Sequence, residues 1–187
     1  GVREHSMGAI TNGLALMGLK PFCSAFLTFS DYLKPSLRLA ALMKCGSTFV
    51  FTHDSITIGQ DGPTHQPIEQ LGALRSIPNM TIFRPADVRE ILGAWNYALN
   101  SNNPTSIVIS KDEIPTLENS NATETNKGAY IVYRETGKLN GIIISTGSEV
   151  NIAIKIAKEL QNKGTNIRVV SMPSMEAFEK QDEYYQK

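Results

Sequence analysis

Thr48-Phe49-Val50-Phe51 is an apolar, β-rich run that leads directly into a polar stretch from Thr52 to Pro67, and an amphipathic run begins at Ile68. This order predicts a strand, then a loop, then a helix. Loops at the carboxyl ends of parallel strands are where α/β sheets place their chemistry. We therefore expect the loop over residues 52–67 to carry functional side chains.

Extended and helical patterns alternate on the C-terminal side of this loop. The spacing of apolar residues predicts a helix over 68–77, a strand over 80–83, a helix over 87–100 with Asp87 as its N-cap, and a strand over 106–109. A succession of strand, helix, strand, helix and strand is typical of a parallel sheet covered by helices. The predicted fold class is therefore α/β.

Two helices are predicted on the N-terminal side. In the first, the small residues Gly8, Ala9, Gly13 and Ala15 permit close packing. Five apolar residues fall on one broad face of this helix, over residues 7–17: Met7, Ile10, Leu14, Leu16 and Met17. The second covers residues 26–43 and contains Pro35, which should kink it or split it into two shorter helices.

The composition changes after Asp112. Residues 114–127 are rich in Asn, Thr and Glu, contain Pro115, have little to bury, and are typical of a linker between domains. Beyond it, strands are predicted over 129–133, 141–144 and 167–170 and a helix over 152–160. Residues 128–187 therefore predict the first part of a second α/β domain, and because the sequence starts with Gly we expect a fragment of a longer chain.

Composition narrows the class of protein. The 187 residues are 41% hydrophobic, and 18 basic residues balance 18 acidic ones, which argues against binding to nucleic acid or to an anionic membrane surface. No apolar run reaches the roughly 18 residues of a transmembrane helix, and no secretory signal is present. Cys23 and Cys45 lack metal-site spacing and are predicted to be buried free thiols in a reducing compartment, so we expect a cytoplasmic protein.

The loop holds two of the three histidines, His53 and His65, together with Asp61. Gly59, Gly62 and Pro63 should fix a tight backbone path that directs these groups toward one point. Histidine has an unperturbed pKa of about 6.5 and exchanges protons near neutral pH. This set predicts proton-transfer chemistry on a polar, hydroxylated substrate.

Structural roles are also open for each of these residues. His53 could be a capped residue after a strand, His65 a turn residue, and Glu4 a solvated helix start. The aromatic residues Phe26, Phe29 and Tyr32 have the spacing of core residues in a helix. A metal site that uses His5 as a third histidine is disfavoured because no local spacing matches a zinc motif.

Several motifs occur in a fixed order along the whole chain, and together they resemble the transketolase family. They are Gly1-Val-Arg-Glu-His5, Phe26-Leu-Thr-Phe29-Ser-Asp-Tyr32, Thr52-His-Asp-Ser55, Asp61-Gly-Pro-Thr-His-Gln-Pro67, Arg84-Pro-Ala-Asp87, Ser145-Thr-Gly-Ser-Glu-Val150 and Arg168-Val-Val-Ser-Met-Pro173. The resemblance implies a thiamine diphosphate enzyme of the pentose phosphate pathway that transfers a two-carbon ketol unit from a ketose phosphate to an aldose phosphate.

The resemblance also implies a domain organisation. Residues 1–113 would form the pyrimidine-binding domain, starting after its first strand, residues 114–127 a linker, and residues 128–187 part of the C-terminal domain. The diphosphate-binding half, with its Mg²⁺ ligands, would lie outside the chain. The full enzyme would be a homodimer with the cofactor between its subunits.

Individual roles follow from the same resemblance. Glu4 is similar to the catalytic glutamate that hydrogen-bonds a ring nitrogen of the aminopyrimidine and thereby makes its exocyclic nitrogen basic. The residues that would bind the cofactor ring are Glu4, Phe26, Phe29, which stacks on it, and Tyr32. The residues that would bind substrate are His53 near the phosphate, Asp61 on a hydroxyl, His65 near the transferred unit, where it would also be catalytic, and Lys111.

Lys111 departs from the family pattern. Ser110-Lys111-Asp112 stands where many members have Ser-Arg-Gln, and lysine keeps the charge of that arginine but loses its bidentate fork. Three alternatives stay open: 1-deoxy-D-xylulose-5-phosphate synthase, a dihydroxyacetone synthase relative, and a non-catalytic partner subunit. We expect the isolated chain to bind thiamine diphosphate weakly and to show no ketol transfer.

Overall fold

The computed structural model describes residues 2–187, which form two compact units. The first contains the chain up to Phe83 together with Trp95–Asp112, and the second contains Arg84–Ala94 together with Glu113–Lys187. Gly1 of the first motif lies outside the described residues.

The first unit is built on a parallel sheet of four strands. Its strands are β1 (Phe22–Phe26), β2 (Thr48–Thr52), β3 (Thr81–Phe83) and β4 (Thr105–Ile109), in the spatial order β1-β2-β4-β3. Its helices are α1 (Glu4–Leu16), α2 (Ser30–Met43), α3 (Gln70–Arg75) and the last residues of α4 (Val88–Asn100). The predicted α/β class with a parallel sheet is confirmed, as are the strands predicted over 48–51, 80–83 and 106–109.

Strand β1 is a feature that the sequence pattern did not predict. We expected residues from Phe26 onward to be helical, but Phe26 ends a strand, a 3-10 turn follows over Leu27–Phe29, and α2 starts at Ser30. The run from Phe22 to Phe26 contains no β-branched residue, and residues that favour strands stand only at its two ends. Parallel pairing with β2 determines its conformation instead.

Pro35 does not split α2, which is continuous over its 14 residues. The predicted division was therefore wrong. Pro35 lacks the N–H that would donate to the carbonyl four residues earlier, so α2 continues past it with one backbone hydrogen bond fewer.

Helix α1 approaches α2 at Gly8, as its small residues predicted, and Met7 of the apolar face packs against the core of the first unit. Gly8, Thr11 and Asn12 are buried, whereas Ile10 is 65% exposed and Met17 is 81% exposed. The side-chain amide of Asn12 donates to the carbonyl oxygen of Ser36 on α2, at 2.8 Å. Small and polar side chains thus make the close contact with α2, which confirms the predicted close packing at Gly8, and most of the apolar face stays exposed.

The second unit contains a sheet of three strands, β5 (Tyr130–Tyr133), β6 (Gly141–Ser145) and β7 (Ile167–Ser171), in the order β5-β7-β6. Strand β6 is parallel to β7 and β5 is antiparallel to it. The helices are α5 (Ala122–Thr125), α6 (Glu149–Asn162), α7 (Met175–Phe178), α8 (Glu183–Gln186) and the first residues of α4. The three strands and the helix predicted after residue 128 are confirmed.

The segment 114–127 buries more than its composition suggested. Leu117 and Ser120 are each 6% exposed, and Thr125 is fully buried. Asp87 connects this segment to α4: its carboxylate accepts from the backbone N–H of Leu117 at 2.8 Å and from the Ser120 hydroxyl at 2.5 Å. The expectation that this run has little to bury was wrong, and the domain limits drawn from it stay a prediction.

Asp87 also caps α4, as predicted, because its Oδ1 accepts from the backbone N–H groups of Arg89 and Glu90. Glu90 is fully buried, and its carboxylate accepts from the Tyr130 hydroxyl at 2.7 Å, the Ser171 hydroxyl at 2.6 Å and the backbone N–H of Ala86 at 2.7 Å. Burial raises the pKa of the Glu90 carboxyl, and the hydrogen bonds oppose that rise without cancelling it.

The Arg84 motif serves the packing of the second unit. Arg84 is 7% exposed, and its guanidinium donates two hydrogen bonds to the Glu149 carboxylate, at 2.6 and 3.1 Å. Burial raises the pKa of Glu149, but Arg84 holds it below its usual range. Two of the motifs, at 84–87 and at 145–150, therefore meet in an ion pair.

Two further sequence expectations concern the environment of the chain. Cys23 and Cys45 are both free and buried, as predicted, and burial raises the pKa of each thiol. Among the helices of residues 2–187, none combines the length and the apolar composition that a membrane crossing requires.

Candidate active site

Except for Glu4, which begins α1, the predicted site residues lie at or after the carboxyl ends of three neighbouring strands. Phe26, the last residue of β1, is paired with Thr52, the last residue of β2, and Thr52 is paired with Ile109, the last residue of β4. Strand register therefore places the segments that follow these residues along one edge of the sheet. These segments contain the 3-10 turn after β1, the loop after β2, and Ser110-Lys111-Asp112 after β4.

Five aromatic rings from two of these segments form a continuous group. Phe26 is nearly parallel to Phe29, with ring centroids 5.9 Å apart and an interplanar angle of 7°, and Phe29 lies 6.3 Å from Tyr32. His53 stacks on Phe26 with centroids 3.9 Å apart. His65 presents its edge to Phe29 at 5.2 Å and to Phe26 at 6.4 Å. The fold thus brings the proposed cofactor-binding rings and both loop histidines into one cluster.

Each of these histidines has one ring nitrogen held by a threonine. Nδ1 of His53 is 2.9 Å from the hydroxyl oxygen of Thr52, and Nδ1 of His65 is 2.8 Å from that of Thr64. Both histidines are half-buried. Each ring can therefore offer Nε2 to a ligand while Nδ1 is occupied.

The loop follows a constrained backbone path, as predicted. A 3-10 segment runs from Ile56 to Asp61, kinked at Gly59, where φ is 77°, and closed by Gly62, where φ is 74°. Glycine adopts a positive φ easily because it has no Cβ atom. His53 also has a positive φ, 61°, which is uncommon for a residue with a side chain and often marks a functional position.

Two residues of the segment after β4, Lys111 and Asp112, make hydrogen bonds to the 3-10 part of this loop. Lys111 Nζ donates to the carbonyl oxygen of Ile58 at 3.2 Å, and the Thr57 hydroxyl donates to the Asp112 carboxylate at 2.9 Å. Asp61 is exposed at the end of the 3-10 segment. Within residues 2–187, no hydrogen bond or ion pair joins Asp61 or Lys111 to the ring cluster.

Glu4 is the first residue of α1, and its Oε2 atom is buried with no hydrogen-bond partner among the described residues. A buried carboxylate oxygen without a donor carries a free-energy cost of about 1–3 kcal/mol, which a ligand with a suitable N–H group would remove. This observation fits a ring nitrogen as its partner. Residues 2–187 contain no group of three or more His, Cys, Asp or Glu side chains that could hold a metal ion.

Four side chains of this region were missed by the sequence analysis: Thr52, Thr64, Thr57 and Asp112. A signal for the first two is present, since the dipeptide Thr-His occurs twice in the loop. Thr57 and Asp112 are 55 residues apart, so only the strand order places them together.

Two family models match the chain and account for most of it. Residues 1–116 match the model described as transketolase, pyrimidine binding domain, and residues 128–187 match the transketolase-like C-terminal domain. The chain belongs to the transketolase family. The resemblance found in its motifs is thereby confirmed.

Curated and solved relatives carry the same family name. The transketolase of Staphylococcus epidermidis is 51% identical over 192 residues, an alignment that includes all of this chain and 29% of that protein. A transketolase variant from Pichia stipitis, described in complex with xylulose 5-phosphate, is 42% identical with a TM-score of 0.95, and the match covers all of this chain and 28% of that one. The chain thus spans under a third of the length of these transketolases.

A third match differs in its organisation. A structure described as a split gene transketolase, in an inactive β4 tetramer, is 25% identical with a TM-score of 0.80. That match covers 94% of this chain and 56% of the other.

Proposed function

We propose that this chain supplies the pyrimidine-binding part of a thiamine diphosphate-dependent transketolase, together with part of its C-terminal domain. The complete enzyme would transfer a two-carbon ketol unit from a ketose phosphate to an aldose phosphate, as a step of the pentose phosphate pathway. The observation that carries this proposal is the ring cluster at the carboxyl ends of β1 and β2 in a chain of this family.

The residues present fit a flat heteroaromatic ring. Phe29 offers a ring face, with Phe26 and Tyr32 beside it, and planar aromatic side chains favour stacked or edge contacts with such a ligand. The unpaired Oε2 of Glu4 is suited to hold a ring nitrogen through a hydrogen bond. When bound, thiamine diphosphate would supply the carbanion chemistry that the side chains of this chain lack.

The loop after β2 is assigned to the sugar. Nε2 of His65 would act on a hydroxyl of the transferred unit as a proton donor or acceptor, and Nε2 of His53 would contact the substrate near its phosphate. Asp61 is exposed and would accept a hydrogen bond from a substrate hydroxyl. These roles make the loop responsible for orienting the sugar while the rings around Phe29 orient the cofactor.

Lys111 is proposed to attract the substrate phosphate by its charge. Its ammonium group is exposed and donates to a backbone carbonyl, which leaves two further N–H groups for an anion. A lysine is a point charge without the bidentate geometry of arginine, so we expect weaker orientation of the phosphate than in relatives with arginine there.

Two other parts of the proposal concern partners. The Mg²⁺ ligands would come from the diphosphate-binding half. A second copy of the chain would pack on α1, which supports pairing because its residues Ile10, Leu14 and Met17 are exposed although they are apolar.

A second candidate is a non-catalytic subunit of a two-chain transketolase. It is favoured by the match to the split gene transketolase, whose tetramer is described as inactive. In this case the chain would bind a separate partner that carries the diphosphate site. The two candidates share the same ring cluster and differ in whether the missing half is covalently attached.

The test supplies the diphosphate-binding half, either fused to this chain or as a separate polypeptide, with thiamine diphosphate and Mg²⁺. Ketol transfer from xylulose 5-phosphate is measured with ribose 5-phosphate as acceptor, and pyruvate and formaldehyde are tested as substrates of the two related enzymes. We expect turnover with ribose 5-phosphate only, and none from the chain alone.

Glu4→Gln and Glu113→Gln form a matched pair, since both remove one charge and Glu113 is exposed after β4. We expect Glu4→Gln to abolish most of the turnover and Glu113→Gln to leave it unchanged. Full activity of Glu4→Gln, or the absence of turnover with every acceptor, would contradict the proposal.

A further inference from the structure

The two loop histidines share a local arrangement that none of the roles above explains. In Thr52-His53 and in Thr64-His65, the threonine hydroxyl lies within 2.9 Å of Nδ1 of the histidine that follows it. Among residues 2–187, neither histidine ring makes any other hydrogen bond. The same nitrogen is therefore occupied in both rings, and the same nitrogen, Nε2, is left.

Ring packing alone does not determine which ring nitrogen stays available to a ligand. His53 is stacked on Phe26 at 3.9 Å, and His65 is set edge-on to Phe29 at 5.2 Å. A rotation of 180° about the Cβ–Cγ bond keeps the imidazole in the same plane but exchanges Nδ1 with Cδ2 and Nε2 with Cε1. Apolar ring contacts are nearly the same in both orientations, so a directional hydrogen bond is required to choose between them.

The backbone at His53 supports this interpretation. Its φ of 61° is a conformation that side chains with a Cβ rarely adopt, and such conformations persist only where the surroundings hold them. In this conformation the ring of His53 reaches both the face of Phe26 and the hydroxyl of the residue before it. One contact fixes the plane of the ring and the other fixes its orientation within the plane.

We propose that Thr52 and Thr64 are positioning residues that select the ring orientation in which His53 and His65 present Nε2 to the sugar phosphate. This inference rests on the proposed function. A hydrogen bond of this kind has a net stability that corresponds to a factor of about two to ten in the ratio of the two orientations. Loss of one threonine hydroxyl is therefore expected to reduce kcat about two- to tenfold, with a smaller effect on KM.

The experiment compares Thr52→Val and Thr64→Val, which remove the hydroxyl at almost constant shape, with Thr52→Ser and Thr64→Ser, which retain it. Thr116→Val is the matched control, because Thr116 is exposed and no histidine adjoins it. Kinetics are measured on the chain combined with the diphosphate-binding half. Histidine ¹⁵N resonances are recorded by long-range ¹H–¹⁵N correlation on the same complex with only this chain isotope-labelled, and the three histidines are assigned by single His→Gln changes.

Each valine variant is expected to shift the Nδ1 resonance of its neighbouring histidine, leave the other two unchanged and lower kcat, and each serine variant is expected to restore both. Unchanged resonances in the valine variants, or shifted resonances with unchanged kcat, would overturn the inference. The same holds if serine fails to restore kcat, since the methyl group would then be the feature that matters. If the unchanged complex shows no ketol transfer, the proposed function fails, and the NMR shifts still decide whether the threonines orient the rings.

Discussion

The contact between α1 and α2 supports a quantitative prediction, because α1 begins with Glu4 and approaches α2 through Gly8. A Cβ atom added at Gly8 would lie 2.8 Å from Cβ of Ser36 and 3.2 Å from Cγ of Leu33. Carbon atoms in contact are about 3.5–4.0 Å apart, so the overlap with Ser36 is at least about 0.7 Å. The Ser36 Cβ is fixed to the backbone and cannot rotate away, so in Gly8→Ala the two helices must separate.

The expected magnitude has two opposing parts. Overpacking a tight contact typically costs about 1–3 kcal/mol, whereas alanine in place of glycine inside a helix gains about 1 kcal/mol. The net change for Gly8→Ala is therefore a loss of about 0–2 kcal/mol. Gly13 is on the same helix, and a Cβ there would meet no atom within 4 Å, so Gly13→Ala should gain about 1 kcal/mol. The difference between the two variants isolates the overlap, about 1–3 kcal/mol.

The sequence contains one tryptophan, Trp95, which provides the assay. It belongs to the first unit and makes an edge contact with Phe22 at 5.4 Å, so its fluorescence reports unfolding of that unit. In urea titrations, the midpoint of Gly13→Ala should lie above that of the unchanged chain, and the midpoint of Gly8→Ala should lie below that of Gly13→Ala. Binding of thiamine diphosphate to the complex should weaken in Gly8→Ala only, because displacement of α1 moves Glu4. A Gly8→Ala chain as stable as Gly13→Ala would refute this account of the helix contact.

Two other predictions concern the buried carboxylate and the outer contact of the loop. Because the pKa of Glu90 is raised in the folded state, the folded chain binds this proton more tightly, and stability should fall as pH rises above about 4.5. In calorimetric unfolding between pH 4 and 8, Glu90→Gln should make stability depend less on pH, whereas the exposed control Glu118→Gln should not. The same pH dependence in both variants would contradict this role of Glu90. The Thr57 hydroxyl donates to the Asp112 carboxylate, a hydrogen bond that Asp112→Asn weakens and Thr57→Val removes. In both variants, amide hydrogen exchange over residues 56–61 should accelerate by up to about tenfold. The double variant should exchange no faster than Thr57→Val, whereas additive effects would show that the two side chains act separately.

The parts of the fold that were predictable depend on local signals. The continuous apolar run of β2 and the capping carboxylate of Asp87 before α4 are features that neighbouring residues determine, and both were found from the sequence. In α1 the close packing at Gly8 was also predicted, but the exposure of Ile10 and Met17 was not, because apolar side chains alone do not indicate which face a neighbouring helix covers. The contact with α2 also uses Asn12, whose buried side-chain amide carries no hydrophobic signal.

The candidate site was predictable as a set of residues but not as an arrangement. The resemblance identified Phe26, Phe29, His53 and His65 as site residues, yet Phe29 and His53 are 24 positions apart along the chain. Their contact depends on β1 pairing with β2, and β1 was the strand that its sequence did not reveal. A weak strand next to a strong one is thus the element on which the assembly of the ring cluster depends.

Phe26 connects the aromatic residues proposed to bind the cofactor with the loop over residues 52–67, so the two are best treated as one packed unit. Its ring contacts Phe29, which is proposed to stack on the cofactor, and also contacts both loop histidines. Residues that share a partner influence one another, so substitutions at Phe26 and His53 are not expected to have additive effects on activity. The stacking distance of 3.9 Å also means that any displacement of Phe26 by a bound ring would be transmitted to His53, whose orientation within its plane is fixed by the Thr52 hydroxyl. The arrangement therefore couples the position of Phe26, proposed to bind the cofactor ring, to the orientation of His53, proposed to contact the sugar phosphate.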